Sequence, residues 1–151
     1  MATAQDGARF IDRLAGGLLA RYVRFVRRTS RGVAAMDEVA LTRALEIVWE
    51  IVAEANKYLV EKAPWALVKQ EDGLDEAAKI LYASAEALRI LALLTYPIMP
   101  GAAERLWGQL GIAEPLGGQR LPEAARWGGL APGTATTKGE SLFPRLEGNE
   151  G

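Results

Sequence analysis

Apolar residues recur at three- and four-residue steps along most of this chain, and this spacing constrains its fold most strongly. Side chains three and four positions apart share one face of an α-helix, so each such stripe predicts a helix with a buried face. Four helices are predicted, over residues 8–31, 38–62, 74–95 and 100–110. The sequence therefore predicts an all-α fold, a bundle of four main helices. The clearest stripe comprises Leu41, Ala44, Leu45, Val48, Ile51, Val52, Ala55, Tyr58 and Leu59.

Prolines and glycines mark where these helices end. Pro64 ends the second helix, because the residue before a proline is disfavoured in the α region. Gly111 is a natural stop for the fourth helix. Beyond it, frequent glycine and proline replace the helical period. We therefore expect a helix bundle over residues 1–111 and a loop-rich tail over residues 112–151.

The third predicted helix changes character along its length. Its second half, residues 90–94, is apolar on every side, which predicts burial all round. The terminal segment 141–146 is an apolar hook that we expect to dock on another surface, either of the bundle or of a further domain. The first half of the third helix has one apolar face, formed by Ile80, Leu81, Ala85 and Leu88.

The 151 residues include no histidine and no cysteine. Histidine is the usual general base and metal ligand, and a thiolate requires cysteine. Catalytic triads built on either residue are therefore excluded, as are zinc sites that use them. Carboxylate pairs occur only at predicted helix starts or turns, where acids suit the helix dipole, and no phosphate-binding glycine loop is found. This pattern favours binding over catalysis, with no catalytic residue and no metal site.

Charge is distributed unevenly along the chain. Residues 1–31 carry seven arginines against two acids, a net charge of +5, whereas the whole chain has a net charge of −1. Arg21, Arg24 and Arg28 recur on one face of the first predicted helix. Guanidinium groups pair with phosphate and stack on bases, so this face indicates a local polyanion site. The alternative is a solvated helix face with no ligand.

Trp65 follows the proline that ends the second helix. An indole at such a corner can project from the bundle and offer a stacking surface to an unpaired nucleobase. The alternative is that the ring folds back as a lid on the core.

The segment from Asn56 to Lys69, with its Asn-x-Tyr and Pro-Trp-x-Leu-x-Lys patterns, resembles the anticodon-binding region of bacterial methionyl-tRNA synthetases. Further matches follow in the same order, over residues 88–100, 110–111, 126–128 and 142–145. They cover nearly the whole chain. The sequence is therefore identified as similar to the C-terminal α-helical anticodon-binding domain of that family.

The resemblance implies roles for particular residues. Trp65 would stack on an anticodon base, with Pro64 placing it, and Arg21 would contact the anticodon. Asn56, Arg24 and Arg28 complete the expected RNA-binding set, and the expected partner is the anticodon loop of a methionine tRNA. The family pattern has an asparagine four residues before this arginine, where the present chain has Gly17. That departure weakens the expectation of selectivity for the CAU anticodon.

The resemblance also implies what lies outside this sequence. The family is an ATP-dependent methionine–tRNA ligase whose ATP and methionine bind a catalytic domain that has no counterpart here, so no cofactor is expected in this chain. The chain is expected not to charge tRNA alone, and to be a fragment or a free-standing paralogue that meets a catalytic domain in cis or in trans. The alternative function is a protein-interaction or general RNA-binding module. The longest uncharged apolar run, residues 90–100, is too short to span a bilayer, and the expected location is cytoplasmic.

Overall fold

A computed structural model describes residue 9, residues 38–121 and residues 123–144 of the chain. Within these residues the molecule is helical and contains no β-strand. Three of the four predicted main helices are present, and a one-turn helix follows the first of them. The predicted helix over residues 8–31 lies outside the described part apart from Arg9, which is helical. The helices are α1 (Glu38–Lys62), α2 (Pro64–Leu67), α3 (Leu74–Thr95) and α4 (Pro100–Gln109).

Helix α1 buries the face that its apolar spacing predicts. Val48, Ile51 and Tyr58 are buried in the core, and Val52, Ala55 and Leu59 pack against them. Another side of the helix carries an exposed stripe of four residues, again at helical spacing: Trp49, Ala53, Asn56 and Val60.

Helix α3 is the centre of the fold and packs against α1, α2 and α4. The prediction of burial on every side for residues 90–94 is confirmed, since all five are buried. The predicted apolar face of its first half is only partly correct. Ile80 is buried, whereas Leu81 and Leu88 are exposed. These two leucines share an outer face with the exposed Leu74, since the three residues follow one another at intervals of seven positions. A fully buried helix side and an exposed leucine side are therefore adjacent on α3.

Helix α4 ends near the predicted glycine stop, where Gly111 adopts a positive φ of 73°. The chain then continues through two short 3₁₀ turns, Leu116–Gly118 and Glu123–Ala125, and the second of them contacts α3. Leu116 and Ala125 belong to the core cluster. The division at residue 111 stays a prediction, although these contacts tie the described tail closely to the bundle.

The end of the described tail is held mainly through its backbone. The amide nitrogen of Thr137 donates to the carbonyl of Gln109 at 2.8 Å. Arg105 donates to the carbonyl of Leu142 at 2.9 Å. The side chain of Phe143, in the predicted apolar hook, is exposed. The hook is thus tethered by its main chain, while its one aromatic ring is not buried in the described fold.

Candidate nucleic-acid interface

A sharp corner separates α1 from α2 and carries Trp65. Ala63 lies in the left-handed region with φ 41° and ψ 60°, which is rare for a residue with a Cβ. Its amide still donates to the carbonyl of Leu59 at 2.9 Å, so the helical hydrogen bonding runs up to the corner itself. The next residue, Pro64, supplies the fixed φ that suits the first position of a helix. The proline that ends α1 therefore also begins α2.

The two residues after the corner have opposite environments. Pro64 is buried, whereas the indole of Trp65 is 57% exposed. The expectation of a projecting ring is thus met, and the alternative of a lid buried in the core does not hold. An exposed indole on a fixed turn presents a flat surface on which an unpaired base can stack.

Asn56 also lies on the molecular surface. It belongs to the exposed stripe of α1, six positions before the end of that helix. Tyr58, two residues later, points the other way and is buried. Burial, with the negative charge of Glu76 as a smaller cause, raises the pKa of the Tyr58 hydroxyl. Within the Asn-x-Tyr pattern, the tyrosine therefore serves the core and the asparagine is available to a ligand.

The arginine half of the predicted site lies outside the described residues. This holds for Arg21, Arg24 and Arg28, and for Gly17. Their proximity to Trp65 therefore stays a prediction. Of the predicted RNA-binding residues, the structure describes Asn56, Pro64 and Trp65, on the last turns of α1 and the first of α2.

Sequence reasoning missed a buried ion pair on α3. Glu86 is 0% and Arg89 4% exposed, and two hydrogen bonds of 2.8 and 2.9 Å join the guanidinium to the carboxylate. The carboxylate also accepts the amide protons of Gly128, Gly129 and Leu130, at 2.7 to 3.0 Å. We call Glu86 and Arg89 the tail anchor, because all three amides belong to the tail.

The arginine of the tail anchor is bonded to the tail as well. Arg89 donates to the carbonyl oxygens of Ala124 and Arg126. The anchor thus joins two sequence segments that carried the family resemblance, one around residue 89 and the other around residues 126–128. The signal that could have revealed it is an acid and an arginine three positions apart in a helix whose other residues there are apolar.

Opposing effects set the charge state of Glu86. Burial favours the neutral carboxylic acid and would raise its pKa, but the hydrogen bond and charge of Arg89 act against this. The amides of Gly129 and Leu130 also favour the carboxylate, and the net result is a pKa below the usual value of a glutamate. The anchor is therefore ionised at neutral pH.

Within residues 38–121 and 123–144, together with Arg9, no group of three or more acidic, histidine or cysteine side chains is arranged to hold a metal ion. No helix in the same part of the chain is both long and apolar enough to cross a membrane.

The family whose sequence profile matches this chain is described as the anticodon binding domain of methionyl tRNA ligase, and the match covers residues 19–151. The chain belongs to this family. A methionine–tRNA ligase of Streptomyces coelicolor is 40% identical over 116 residues, which span 74% of this chain and 22% of the relative. The corresponding enzyme of Caldanaerobacter subterraneus is 38% identical over 112 residues, 74% of this chain and 17% of the relative.

A solved structure agrees with the sequence matches. The crystal structure of the apo form of Mycobacterium tuberculosis methionyl-tRNA synthetase superposes with a TM-score of 0.58 at 28% identity. The superposition covers 97% of this chain and 35% of that one. The chain thus has the helical fold of a methionyl-tRNA ligase anticodon-binding domain, and spans about a fifth of the length of the curated relatives it matches.

Proposed function

We propose that this domain binds the anticodon loop of a methionine tRNA, with Trp65 as the stacking surface for an unpaired base. The observation that carries the proposal is the exposed indole at the Ala63–Pro64 corner, in a chain of the anticodon-binding family. In this proposal Pro64 places the ring and Asn56 contacts the RNA from the neighbouring surface of α1. Arg21 contacts the anticodon, and Arg24 and Arg28 contact phosphates.

The stacking role is tested by a pair of tryptophan variants. Trp65→Ala should weaken binding to a hairpin RNA with a CAU loop by about 5- to 150-fold, since base–indole stacking contributes about 1–3 kcal/mol. Trp49→Ala is the matched control, because Trp49 is 58% exposed yet lies four turns of α1 away from the corner. Equal binding by wild type and Trp65→Ala in a low-salt titration would refute the assignment.

Salt dependence separates stacking from phosphate contacts. Each phosphate contact releases counterions, so Arg24→Ala and Arg28→Ala should each reduce the slope of log affinity against log salt by about one. Trp65→Ala should lower the affinity without changing that slope, because an indole neutralises no phosphate. If Trp65→Ala reduced the slope of log affinity against log salt, this would contradict the stacking role of the tryptophan.

Gly17 provides a gain-of-function test of loop selectivity. A glycine offers no side chain to a base, and loss of a paired base contact costs about 1–3 kcal/mol of discrimination. We therefore expect Gly17→Asn to increase the preference for a CAU loop over a hairpin with an altered triplet. An unchanged preference would show that position 17 does not read the anticodon.

Aminoacylation of tRNA is proposed for a larger protein of which this domain is a part, with ATP and methionine binding in its catalytic portion.

A contact for such a portion is supported by the exposed α3 leucine stripe, formed by Leu74, Leu81 and Leu88. The chain spans about a fifth of the length of the curated relatives, and the catalytic portion is the proposed occupant of this stripe. In binding assays with the catalytic portion of the Streptomyces coelicolor ligase, Leu81→Asp should abolish complex formation and Val60→Asp, on α1, should not. Equal binding by both variants would contradict this contact.

A further inference from the structure

The α2 helix that carries Trp65 is too short to hold its own orientation. It contains four residues, Pro64–Leu67, whereas an isolated helix is marginal below about a dozen. Its geometry must therefore come from the surface of α3 on which it packs and from what holds its two ends. At the first end, Ala63 is in the left-handed region and Pro64 is buried, so the entry into the turn is restricted.

The second end is held by an unusually close backbone approach. Leu67, the last residue of α2, lies against Gly73, the residue before α3. A Cβ placed on Gly73 would overlap the carbonyl oxygen of Leu67, and would lie 2.7 Å from its carbonyl carbon and 3.2 Å from its Cα. These are backbone atoms, so no side-chain rotation could relieve the overlap. The segment between them is closed by hydrogen bonds from Gln70 to Leu67 at 2.9 Å and from Gly73 to Gln70 at 3.2 Å.

Backbone conformation does not explain this glycine. Its φ of −86° and ψ of −11° are open to any residue. It also occupies the N-cap position of α3, where glycine is an accepted residue, and no side-chain cap is present. The space needed by the Leu67 backbone is the physical reason for glycine here.

We propose that Gly73 is a positioning residue for Trp65. Its missing side chain lets the start of α3 lie directly against the carbonyl of Leu67, which fixes α2 and so the direction of the indole. Gly73 itself touches no RNA in this proposal. The inference rests on the proposed stacking role of Trp65 and extends it to a residue eight positions away.

A double-mutant cycle with a CAU-loop hairpin RNA tests this. Gly73→Ala should weaken binding about fivefold or more in the wild-type background, through partial loss of the stacking energy. In the Trp65→Ala background the same substitution should change the affinity less than about twofold, because the group it positions is gone. The salt slope should stay unchanged in both backgrounds. Equal effects of Gly73→Ala in the two backgrounds would overturn the proposal.

Two glycine controls separate positioning from general damage. Gly111→Ala introduces a comparable overlap, with the backbone of Ala135, but just beyond the end of α4. It should lower the thermal midpoint without a specific loss of RNA affinity at temperatures where the protein is folded. Gly108→Ala meets no atom within 4 Å and should leave RNA binding unchanged. A loss of affinity in Gly111→Ala equal to that in Gly73→Ala would assign the effect to stability alone.

If Gly73→Ala does not fold by circular dichroism, the other end of α2 carries the test. Ala63→Gly removes the unfavourable left-handed alanine and should raise the thermal midpoint. It also loosens the corner, so RNA affinity should fall although the protein is more stable. Unchanged or tighter binding would refute the proposal that the two ends of α2 orient the indole of Trp65. If Trp65→Ala binds RNA like the wild type, the proposed stacking function itself fails. The series of variants therefore distinguishes failure of the proposed function from failure of the positioning role of Gly73.

Discussion

Replacement of Arg89 by methionine should remove a large part of the stability of this domain. Arg89 is 4% exposed and donates two hydrogen bonds to Glu86 and one to each of two tail carbonyls, those of Ala124 and Arg126. Methionine preserves much of the side-chain volume, so the cavity contribution is small. The main effect is a carboxylate left at 0% exposure without its countercharge.

The size of the effect follows from these contacts. Removal of one partner of a buried ion pair costs about 3–5 kcal/mol. Three backbone amides still donate hydrogen bonds to Glu86, which favours the lower end of that range. In addition, two tail carbonyls lose the hydrogen bond from Arg89, and each loss costs about 1 kcal/mol. We therefore expect a loss of about 4 kcal/mol in the free energy of unfolding, a large fraction of the 5–15 kcal/mol typical of a domain.

Urea denaturation at pH 7 measures this loss, and two further variants sharpen the result. Arg105→Met removes an exposed arginine that donates to one tail carbonyl, and should cost less than about 1 kcal/mol. The double variant Glu86→Leu/Arg89→Met should be more stable than Arg89→Met, because it leaves no unpaired charge. Amide exchange should accelerate at residues 128–130 in Arg89→Met. A loss below about 1 kcal/mol would refute the view that the tail anchor is a buried, ionised pair.

Three further outcomes are expected. The folded-state pKa of Glu86 is below its unfolded value, so the anchor's contribution is complete above about pH 4.5 and is lost as the pH falls through the folded-state pKa. When the thermal midpoint is measured against pH, Arg89→Met should lose this pH dependence of stability or show it at higher pH. A profile identical to that of the wild type would contradict the assignment of the dependence to the tail anchor. Gly108→Ala should stabilise the domain by about 0.5–1 kcal/mol in urea, since it lies within α4 with open space around it. Trp107→Phe should cost about 1–2 kcal/mol by the same assay, because the buried indole N–H donates to the carbonyl of Glu114 at 2.8 Å; a neutral result would argue against that bond.

Local features of the fold were predictable from the sequence because their causes are local. The bounds of α3 match the predicted residues 74–95, since helical spacing, a preceding glycine turn and a following proline all act within a few residues. The exposed position of Trp65 was one of two alternatives. The proline restricted the backbone of Ala63, but only the structure shows that Pro64 faces inward and the indole outward.

The exposed leucines of α3 show where periodicity alone is insufficient. Leu81 and Leu88 have the spacing of a buried face, yet they are exposed while Ile80 is buried. An apolar stripe establishes that a helix has an apolar side, but which part of that side is covered depends on how many neighbours pack there. Most of the circumference of α3 is apolar, and α1, α2 and α4 cover only part of it.

The sequence by itself determined the helical elements, the family and the corner that carries Trp65, because each depends on residues adjacent along the chain. Tertiary structure alone decided the role of Glu86 and Arg89. An acid and a base three positions apart on a helix are ordinarily an exposed pair that contributes little. Here their other partners lie 35 to 44 residues away in the tail, and burial under that tail converts a minor surface contact into an ionised anchor.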